Sequence, residues 1–234
     1  MEYQEMAKYY DLFYKKKNYD KESTFIENLI NKRKTILDVG CGTGLHMHYL
    51  EEKNYQVEGL DLNEGMLEVA KTRVKGTLYQ GNLLDFQPKK KYDAIISMFA
   101  VFNHLNNEQE LEKAILHWYK YLNENGILII DLHNGRKSGE KETTIDNCKR
   151  IMKWTFDNTT FKENTEITYI IDGKTYQDTH EFQIYKLNQI EEILKKYNLK
   201  YQLYENYSLE KATDDSKNIE IVIEKEYNEQ QNKR

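Results

Sequence analysis

The chain has 234 residues, a length typical of one domain or of one domain with a sizeable insertion. Its 34 Lys and Arg residues against 39 Asp and Glu residues give a net charge of −5, which argues against nucleic acid or a membrane surface as partner, because both require a basic footprint. With only two cysteines and no apolar run of ~18 residues, the sequence predicts a cytoplasmic protein without disulfides, signal peptide or membrane span.

Residues 1–34 carry a helical spacing of apolar side chains with a break near residues 15–20, which predicts two helices. After them, short apolar runs alternate with amphipathic segments. Strands are predicted at 35–39, 56–61, 77–80, 92–97 and 127–131, and helices at 43–52, 63–74 and 108–122. Several of these strands are apolar on both faces, which favours a parallel sheet covered by helices on both sides.

The pattern changes after residue 136. Three antiparallel strands are predicted at 151–157, 161–171 and 175–185, with Asp172 and Gly173 as the last hairpin turn. A helix at 187–197 and two strands at 200–207 and 219–224 follow, and the polar tail from residue 227 is expected to fray. Because no repeat or linker separates these parts, we expect one α/β domain over 1–234, with residues 137–186 as an antiparallel insertion.

A glycine cluster marks the point where the first parallel strand ends. The segment Leu37–Gly44 reads LDVGCGTG, and Asp61 ends the next strand. Ligands of open α/β sheets bind outside the carboxyl ends of the strands, where glycines let the backbone approach a ligand. A carboxylate at the second strand end can accept hydrogen bonds from both hydroxyls of a ribose.

The spacing of the glycines argues against two common nucleotide motifs. A dinucleotide fingerprint starting at Gly40 requires glycine at position 45, which is Leu45, and no Gly-Lys-Ser/Thr phosphate loop is present. The segment LDVGCGTG resembles the class I S-adenosylmethionine-dependent methyltransferases. Asp61, Asn82 after the third strand and Met98 after the fourth support the resemblance, which covers most of residues 34–131. It implies a Rossmann-like, seven-stranded, mostly parallel sheet and S-adenosylmethionine as cofactor.

The resemblance also implies a role for individual residues. Gly40, Cys41 and Gly42 would face the methionine part of the cofactor through their backbone, Met98 would lie near the same part, and Asp61 would hold the ribose. The other implied contacts surround the adenine or lie in an N-terminal segment that closes over the cofactor: Leu62, Met66, Asn82, Leu83 and Tyr19. Many relatives carry aspartate where this chain has Asn82, so a changed adenine contact is expected there.

The N-terminal segment narrows the resemblance. The run Tyr10–Tyr14, followed by Asn18, Tyr19 and Asp20, is similar to the start of bacterial nucleotide-deoxyaminosugar N-methyltransferases, and so are residues 97–99 and 103–105 after the fourth strand. These enzymes methylate the amine of a TDP-linked sugar. The insertion at 137–186 would act as a lid that reads the acceptor, although its residues do not match the family one by one.

Methyl transfer to an amine requires an unprotonated nucleophile in line with the sulfonium methyl. His104 is the first candidate base, because histidine titrates near neutral pH, and Tyr14 is the second, as a hydroxyl that orients the amine. Each has a structural alternative: a hydrogen-bonded loop histidine, and a tyrosine that packs on a helix face. No His, Asp or Glu group has the spacing of a metal site, so no metal is expected.

Three hypotheses about function stay open. The first is N-methylation of a nucleotide-linked aminosugar, for which a basic run after the fifth strand would hold the diphosphate: Arg136, Lys137, Lys141, Lys149, Arg150 and Lys153. The second is methylation of another small acceptor, such as an amino acid, a carboxylate or a hydroxyl. The third is a cofactor-binding protein without turnover. A monomer or a homodimer is expected in each case.

Overall fold

The structure is a computed structural model that describes residues 2–14, 19–31 and 33–226. Of the predicted break at 15–20, residues 15–18 lie outside the described residues, whereas 19 and 20 belong to a helix. The predicted fraying from residue 227 also lies outside the described residues. The helices are α1 Glu2–Tyr14, α2 Tyr19–Ile30, α3 Leu45–Glu52, α4 Glu64–Lys71, α5 Glu108–Lys120 and α6 Leu187–Lys196, with a 3₁₀ turn at Val101–His104. The strands are β1 Thr35–Val39, β2 Gln56–Asp61, β3 Leu78–Gln80, β4 Tyr92–Ser97, β5 Leu122–His133, β6 Gly139–Ile145, β7 Cys148–Asp157, β8 Lys162–Ile171, β9 Lys174–Gln183, β10 Lys200–Glu205 and β11 Asn218–Glu224.

Seven of the strands form one sheet in the order β10-β11-β5-β4-β1-β2-β3. Neighbouring strands from β5 to β3 run parallel, whereas β11 runs antiparallel to both β5 and β10. The predicted seven-stranded, mostly parallel sheet is therefore confirmed. The chain passes from β1 to β2 on one side, and β4 lies on the other side of β1, so the strand order reverses at β1 and opens a crevice at the carboxyl ends.

Helices bury apolar side chains on both faces of this sheet, as the strand pattern predicts. On one face, Leu111, Ile115 and Trp118 of α5 lie at helical spacing and pack with α6 against the strands. On the other face, Phe25 and Ile26 of α2 pack with α3. This two-sided core holds the strand ends, and the loops that follow them, in fixed positions.

The strands β6–β9 form a separate antiparallel sheet, called here the small sheet, between β5 and α6 in the chain. The predicted hairpin is confirmed: Ile171 pairs with Lys174, and Asp172 and Gly173 both have positive φ, at 49° and 77°. The predicted number of strands is wrong, because β6 was missed. Most of its side chains are exposed, and its sequence lacks the apolar alternation that reveals a half-buried strand.

Several predicted helix ends shift in the structure. The third helix begins at Leu45 and not at residue 43, because Gly44 has a left-handed φ of 77° and stands outside the helix. The left-handed residue Asn125, predicted to end α5, lies in the first part of β5, since α5 already ends at Lys120. No helix in the described part of the chain is both long enough and apolar enough to cross a bilayer.

Candidate active site at the carboxyl ends of the strands

The turn after β1 requires glycine for two different reasons. A Cβ on Gly40 would lie 2.4 Å from Cγ2 of Val101, so the 3₁₀ turn after β4 sits directly against this backbone. At Gly42, no heavy atom of the described residues lies within 4 Å of where a Cβ would be, so this glycine faces open space. Both residues have positive φ, at 77° and 53°, which glycine adopts without strain. The glycine turn thus places bare backbone at the edge of the crevice.

The N–H groups of this turn are used inside the protein. Gly40 and Cys41 both donate to the carbonyl of Leu60, at 2.7 and 3.0 Å, and Gly42 donates to Oδ2 of Asp61 at 2.7 Å. Because these N–H groups are already engaged, a ligand at this turn would contact carbonyl oxygens and the open side of Gly42. The Cys41 side chain is buried, and burial raises the pKa of its thiol well above the usual range, so Cys41 contributes only its backbone.

Asp61 ends β2 with its carboxylate fixed in the crevice. Besides the bond to Gly42, its Oδ1 accepts from the N–H of Asn63 at 2.8 Å. Burial raises the pKa of Asp61, and the hydrogen bonds from Asn63, Gly42 and Leu62 partly oppose that shift. Each carboxylate oxygen carries a second lone pair, so the group can still accept two hydrogen bonds from a diol.

Apolar and amide groups lie beside Asp61. Leu62 is 66% exposed, which is unusual for a large apolar residue and leaves a flat surface free, and Met66 lies half-buried in the first turn of α4. Across β3, the exposed Asn82 accepts from the N–H of Leu84 at 2.9 Å through Oδ1, which leaves its NH₂ group and one lone pair for a ligand. Leu83 is half-buried and packs against the core.

Met98 lies in the core of the protein. Its side chain is only 2% exposed and packs on the α2 side, and its place near the methionine part of the cofactor stays a prediction. The next residue, Phe99, has a positive φ of 70° and a partly exposed ring. The backbone thus turns over immediately after β4, so that Met98 is buried while the Phe99 ring is partly exposed.

The N-terminal helix brings tyrosines to the crevice. The ring of Tyr14 lies 5.0 Å from that of Phe99 and 4.6 Å from that of Tyr10, and the guanidinium of Arg150 lies 4.6 Å above it. Burial raises the pKa of Tyr14, and Arg150 only partly opposes this. Tyr14 therefore stays a neutral phenol near pH 7, which can orient an acceptor but is a poor base.

Tyr19 begins α2 and lies close to the start of α3. Its ring lies 5.3 Å from that of His46, which in turn bonds Oε2 of the buried Glu22 at 2.9 Å. Burial raises the pKa of the Tyr19 hydroxyl. The structure thus places Tyr19 beside the helix that follows the glycine turn.

His104 ends the 3₁₀ turn, and the neighbouring Asn103 fixes its position. The fully buried Asn103 amide donates to the carbonyls of His133 and Gln183 at 3.0 and 2.8 Å and accepts from the N–H of His133 at 2.8 Å. The His104 ring reaches the open crevice, yet it packs 4.7 Å from the ring of Phe182. Surrounding protein and the nearby His180 lower the pKa of His104 to about 4.

This low pKa corrects the premise on which His104 was selected. With this pKa the ring stays neutral near pH 7, and such an imidazole is a weak base. The ring could still form a hydrogen bond with an acceptor in the crevice. The role of His104 in a reaction therefore stays a prediction.

Comparisons with known proteins agree with this arrangement. Residues 36–126 match the family model described as a methyltransferase domain. This segment contains the glycine turn, Asp61 and the 3₁₀ turn. The chain contains a methyltransferase domain over these residues. The residues fit S-adenosylmethionine as cofactor, because the open side of Gly42, the carboxylate of Asp61 and the exposed Leu62 follow one another along the same edge.

Two curated relatives of this chain have named activities. The chain is 34% identical, over 53% of its own length and 56% of the relative's, to the dTDP-3-amino-3,4,6-trideoxy-alpha-D-glucopyranose N,N-dimethyltransferase of Streptomyces venezuelae. It is 31% identical, over 54% and 52%, to the dTDP-3-amino-3,6-dideoxy-alpha-D-glucopyranose N,N-dimethyltransferase of Streptomyces fradiae. The chain thus spans about half the length of these relatives.

The fold is shared over almost the whole chain with a solved structure. An S-adenosylmethionine-dependent methyltransferase from Clostridium acetobutylicum superposes with a TM-score of 0.81 at 22% identity, over 94% of this chain and 96% of the other. That match includes the small sheet region as well as the seven-stranded sheet.

Sequence reasoning missed the residue that joins α1 to the glycine turn, Asp11. Oδ1 of Asp11 accepts from the hydroxyl of Thr43, inside the glycine turn, at 2.6 Å. Oδ2 of Asp11 forms an ion pair with Arg73, which also donates to the carbonyl of Thr43. Asp11 lies within the motif at residues 10–14, but a helical aspartate with a partner 32 residues away carries no local signal.

We expect Asp11→Ala to raise the Kd for S-adenosylhomocysteine about fivefold, because it releases α1 from the glycine turn. The pair is about one-quarter exposed, and such a contact contributes about 1 kcal/mol. Isothermal calorimetry measures the effect. Glu68→Ala is the matched control, since Glu68 pairs with Lys71 on the exposed side of α4. If Asp11→Ala and wild type bind S-adenosylhomocysteine with equal affinity, α1 does not contribute to the binding site.

The small sheet presents one face to α1 and to the 3₁₀ turn. Arg150, Tyr169 and Tyr176 are cross-strand neighbours and share a face, and Phe13 of α1 lies 5.6 Å from the ring of Tyr169. The same face includes Glu163 and Phe182, which are paired across β8 and β9. This inner face closes the crevice opposite the strand ends.

The basic run behind the diphosphate hypothesis is divided between the two faces. Lys149 and Lys153 alternate with Arg150 and point to the outer face, where they pair with Glu142 and Glu140 at 2.8 and 3.6 Å. Arg150 points inward but lies over the rings of Phe13 and Tyr14. The run as a whole does not converge on one anion.

Proposed function

We propose that this methyltransferase transfers a methyl group from S-adenosylmethionine to the amino group of a small molecule, and that the acceptor is a nucleotide-linked deoxyaminosugar. The observation that carries the proposal is the composition of the crevice. The cofactor edge around Gly42 and Asp61 adjoins an inner face that bears the carboxylates of Glu163 and Asp178 and the imidazole of His180. Carboxylates and imidazoles suit an amine better than an anionic acceptor.

In this proposal the cofactor lies along the carboxyl ends of β1, β2 and β4. Asp61 holds both ribose hydroxyls, and the carbonyl side of Gly40, Cys41 and Gly42 faces the methionine part. The adenine lies between Leu62 and Met66, with Asn82 and Leu83 at its edge. Tyr19 covers the site from α2, and Met98 supports the floor from the core without lining it.

The bound cofactor supplies an electrophilic methyl group on a sulfonium. The protein aligns the acceptor nitrogen with it and keeps water out, which accounts for much of the catalysis in such displacements. Tyr14, a neutral phenol held between Arg150 and Phe99, orients the amine through its hydroxyl. His104 accepts a hydrogen bond from the amine as a neutral imidazole.

The aminosugar as acceptor rests on the two Streptomyces relatives, which are both named as N,N-dimethyltransferases of 3-amino sugars linked to dTDP. The divided basic run supports it less, because Lys149 and Lys153 point to the outer face, while Arg150 on the inner face lies over the rings of Phe13 and Tyr14. We place the diphosphate outside the inner face, so that only the amino sugar enters beneath the lid. The chain would act as one cytoplasmic domain over 1–234, with 137–186 as its lid.

A panel of acceptors tests the proposal. Purified protein is incubated with S-adenosylmethionine and one of four amines: the two dTDP-3-amino sugars, glycine or sarcosine. Formation of S-adenosylhomocysteine and the product mass are measured. We expect turnover of the dTDP-aminosugars and weak or no turnover of glycine. Turnover of glycine alone would show that the acceptor is an amino acid and not a sugar. Binding of S-adenosylmethionine without any methylated product would favour a protein that binds the cofactor and catalyses no transfer.

A further inference from the structure

Strand β9 carries a carboxylate and an imidazole that the mechanism above does not use. Asp178, His180 and Phe182 alternate along the strand and therefore share the inner face. Oδ2 of Asp178 lies 3.1 Å from Nε2 of His180, and both side chains are about one-fifth exposed. The rings of His180 and Phe182 stack at 8° with centroids 6.1 Å apart, which fixes the imidazole plane.

The pair of Asp178 and His180 lies next to His104, which is exposed to the crevice. The ring centroids of His180 and His104 lie 5.6 Å apart, and Phe182 contacts both rings. Two imidazoles from opposite walls thus meet at one place, one from the 3₁₀ turn after β4 and one from the small sheet. The two histidines differ in their partners: the ion-pair contact with Asp178 is formed by His180.

We propose that His180, supported by Asp178, is the residue that accepts the proton of the incoming ammonium group, and that His104 only orients the amine. The inference rests on the proposed N-methylation. A carboxylate beside an imidazole stabilises the imidazolium and fixes the tautomer with a free nitrogen, which is the requirement for a general base. His104, whose ring lies 5.6 Å from that of His180, has a lowered pKa and stays neutral.

The proton and electron balance is complete. The acceptor enters as R–NH₃⁺ and gives one proton to His180, which passes it to solvent at the open side of the crevice. The free electron pair on nitrogen then forms the N–CH₃ bond while the C–S bond breaks, and the sulfur keeps the electron pair as a neutral thioether. The product leaves as R–NH₂⁺–CH₃, and no oxidant, reductant or further reactant is needed.

Other charged and titratable groups face this pair and shape its pH response. Asp178 and His104 lie against His180, Tyr169 on β8 faces Asp178, and Glu163 on β8 contacts His133 of β5 at 3.3 Å. Arg150 on β7 lies beyond Tyr169. Substituting His180 and Asp178 separately distinguishes their effect from that of the surrounding groups.

The kinetic test uses His180→Gln, Asp178→Asn and His104→Gln, with a dTDP-3-amino sugar as acceptor from pH 6 to 10. Glu181→Gln is the control, since Glu181 is exposed on the outer face of β9 and pairs with Lys162. We expect His180→Gln to lower kcat/KM about 100-fold at pH 7 and much less at pH 10, where the amine is already neutral. Asp178→Asn should show a smaller loss of the same kind, and His104→Gln a loss without a change of profile.

Proton NMR of the histidine rings separates this inference from the proposed function. It needs no turnover, and the His180 ring signals are assigned by their loss in His180→Gln. We expect Asp178→Asn to change the chemical shifts of the His180 ring, because it removes the carboxylate that lies 3.1 Å from Nε2. Unchanged shifts, or a His180→Gln enzyme with the wild-type pH profile, would overturn the role of His180. If no amine is methylated while the shifts change, the proposed function fails and the carboxylate–imidazole pair stands.

Discussion

Glu220→Gln is expected to stabilise the protein by on the order of 3 kcal/mol at pH 7, and by more above pH 8. Glu220 lies on β11, fully buried, directly opposite Asp131 of β5. Asp131 is itself buried and is engaged by the N–H of Ala100 at 2.6 Å and by the hydroxyl of Tyr207. Two carboxyl groups therefore share an interior site in which both cannot easily ionise.

The pKa of Glu220 sets the direction of this effect. Burial raises it to about 8, and Asp131 adds to the shift, while the backbone N–H of Tyr207 lowers it only in part. Below pH ~4 the group is protonated in both the folded and the unfolded chain and has no net effect. As the pH rises from ~4 towards 8, the unfolded chain loses this proton first, so the free energy of unfolding falls.

Urea unfolding at pH 5 and pH 8.5 measures this prediction. Glutamine keeps the shape of the protonated acid but cannot ionise, so the variant should gain little at pH 5 and several kcal/mol at pH 8.5. Glu224→Gln is the control on the same strand, because Glu224 is half-exposed and pairs with Lys200 at 2.6 Å. A Glu220→Gln protein that is no more stable than wild type at pH 8.5 would show that the pair ionises freely.

The central elements of the fold could be predicted because their signals are local. Strands such as Thr35–Val39 and Tyr92–Ser97 are buried on both faces and read as short apolar runs. The strand Gly139–Ile145 could not be predicted, because it lies at the edge of the small sheet and carries mostly exposed polar side chains. This strand forms because β7 offers a pairing edge, and its own sequence carries no alternation of apolar and polar residues that would predict it.

The candidate site divides in the same way. The glycine turn and Asp61 could be placed from sequence, since strand ends and glycines fix where the backbone must turn. The orientation of Met98 could not, because the backbone reverses at Phe99 with a positive φ of 70°. The pair of Asp178 and His180 was also missed, since only the register of β9 against β8 shows which residues share the inner face.

Asp61→Ala should raise the Kd for S-adenosylhomocysteine between tenfold and 100-fold, because a partly buried carboxylate that accepts from two hydroxyls contributes roughly 1.5–3 kcal/mol. The same carboxylate accepts hydrogen bonds from the N–H groups of Gly42 and Asn63, so calorimetry of one ligand does not separate ribose contact from support of the turn.

The 2′-deoxy analogue of S-adenosylhomocysteine separates these two effects of Asp61. Wild type should bind it about tenfold less tightly, and Asp61→Ala should bind both ligands alike. Asp93→Ala is the control, since Asp93 accepts from Thr35 near the amino ends of the strands. Asp93→Ala should retain wild-type affinity. If wild type and Asp61→Ala prefer the ligand with the 2′-hydroxyl equally, Asp61 does not contact the ribose.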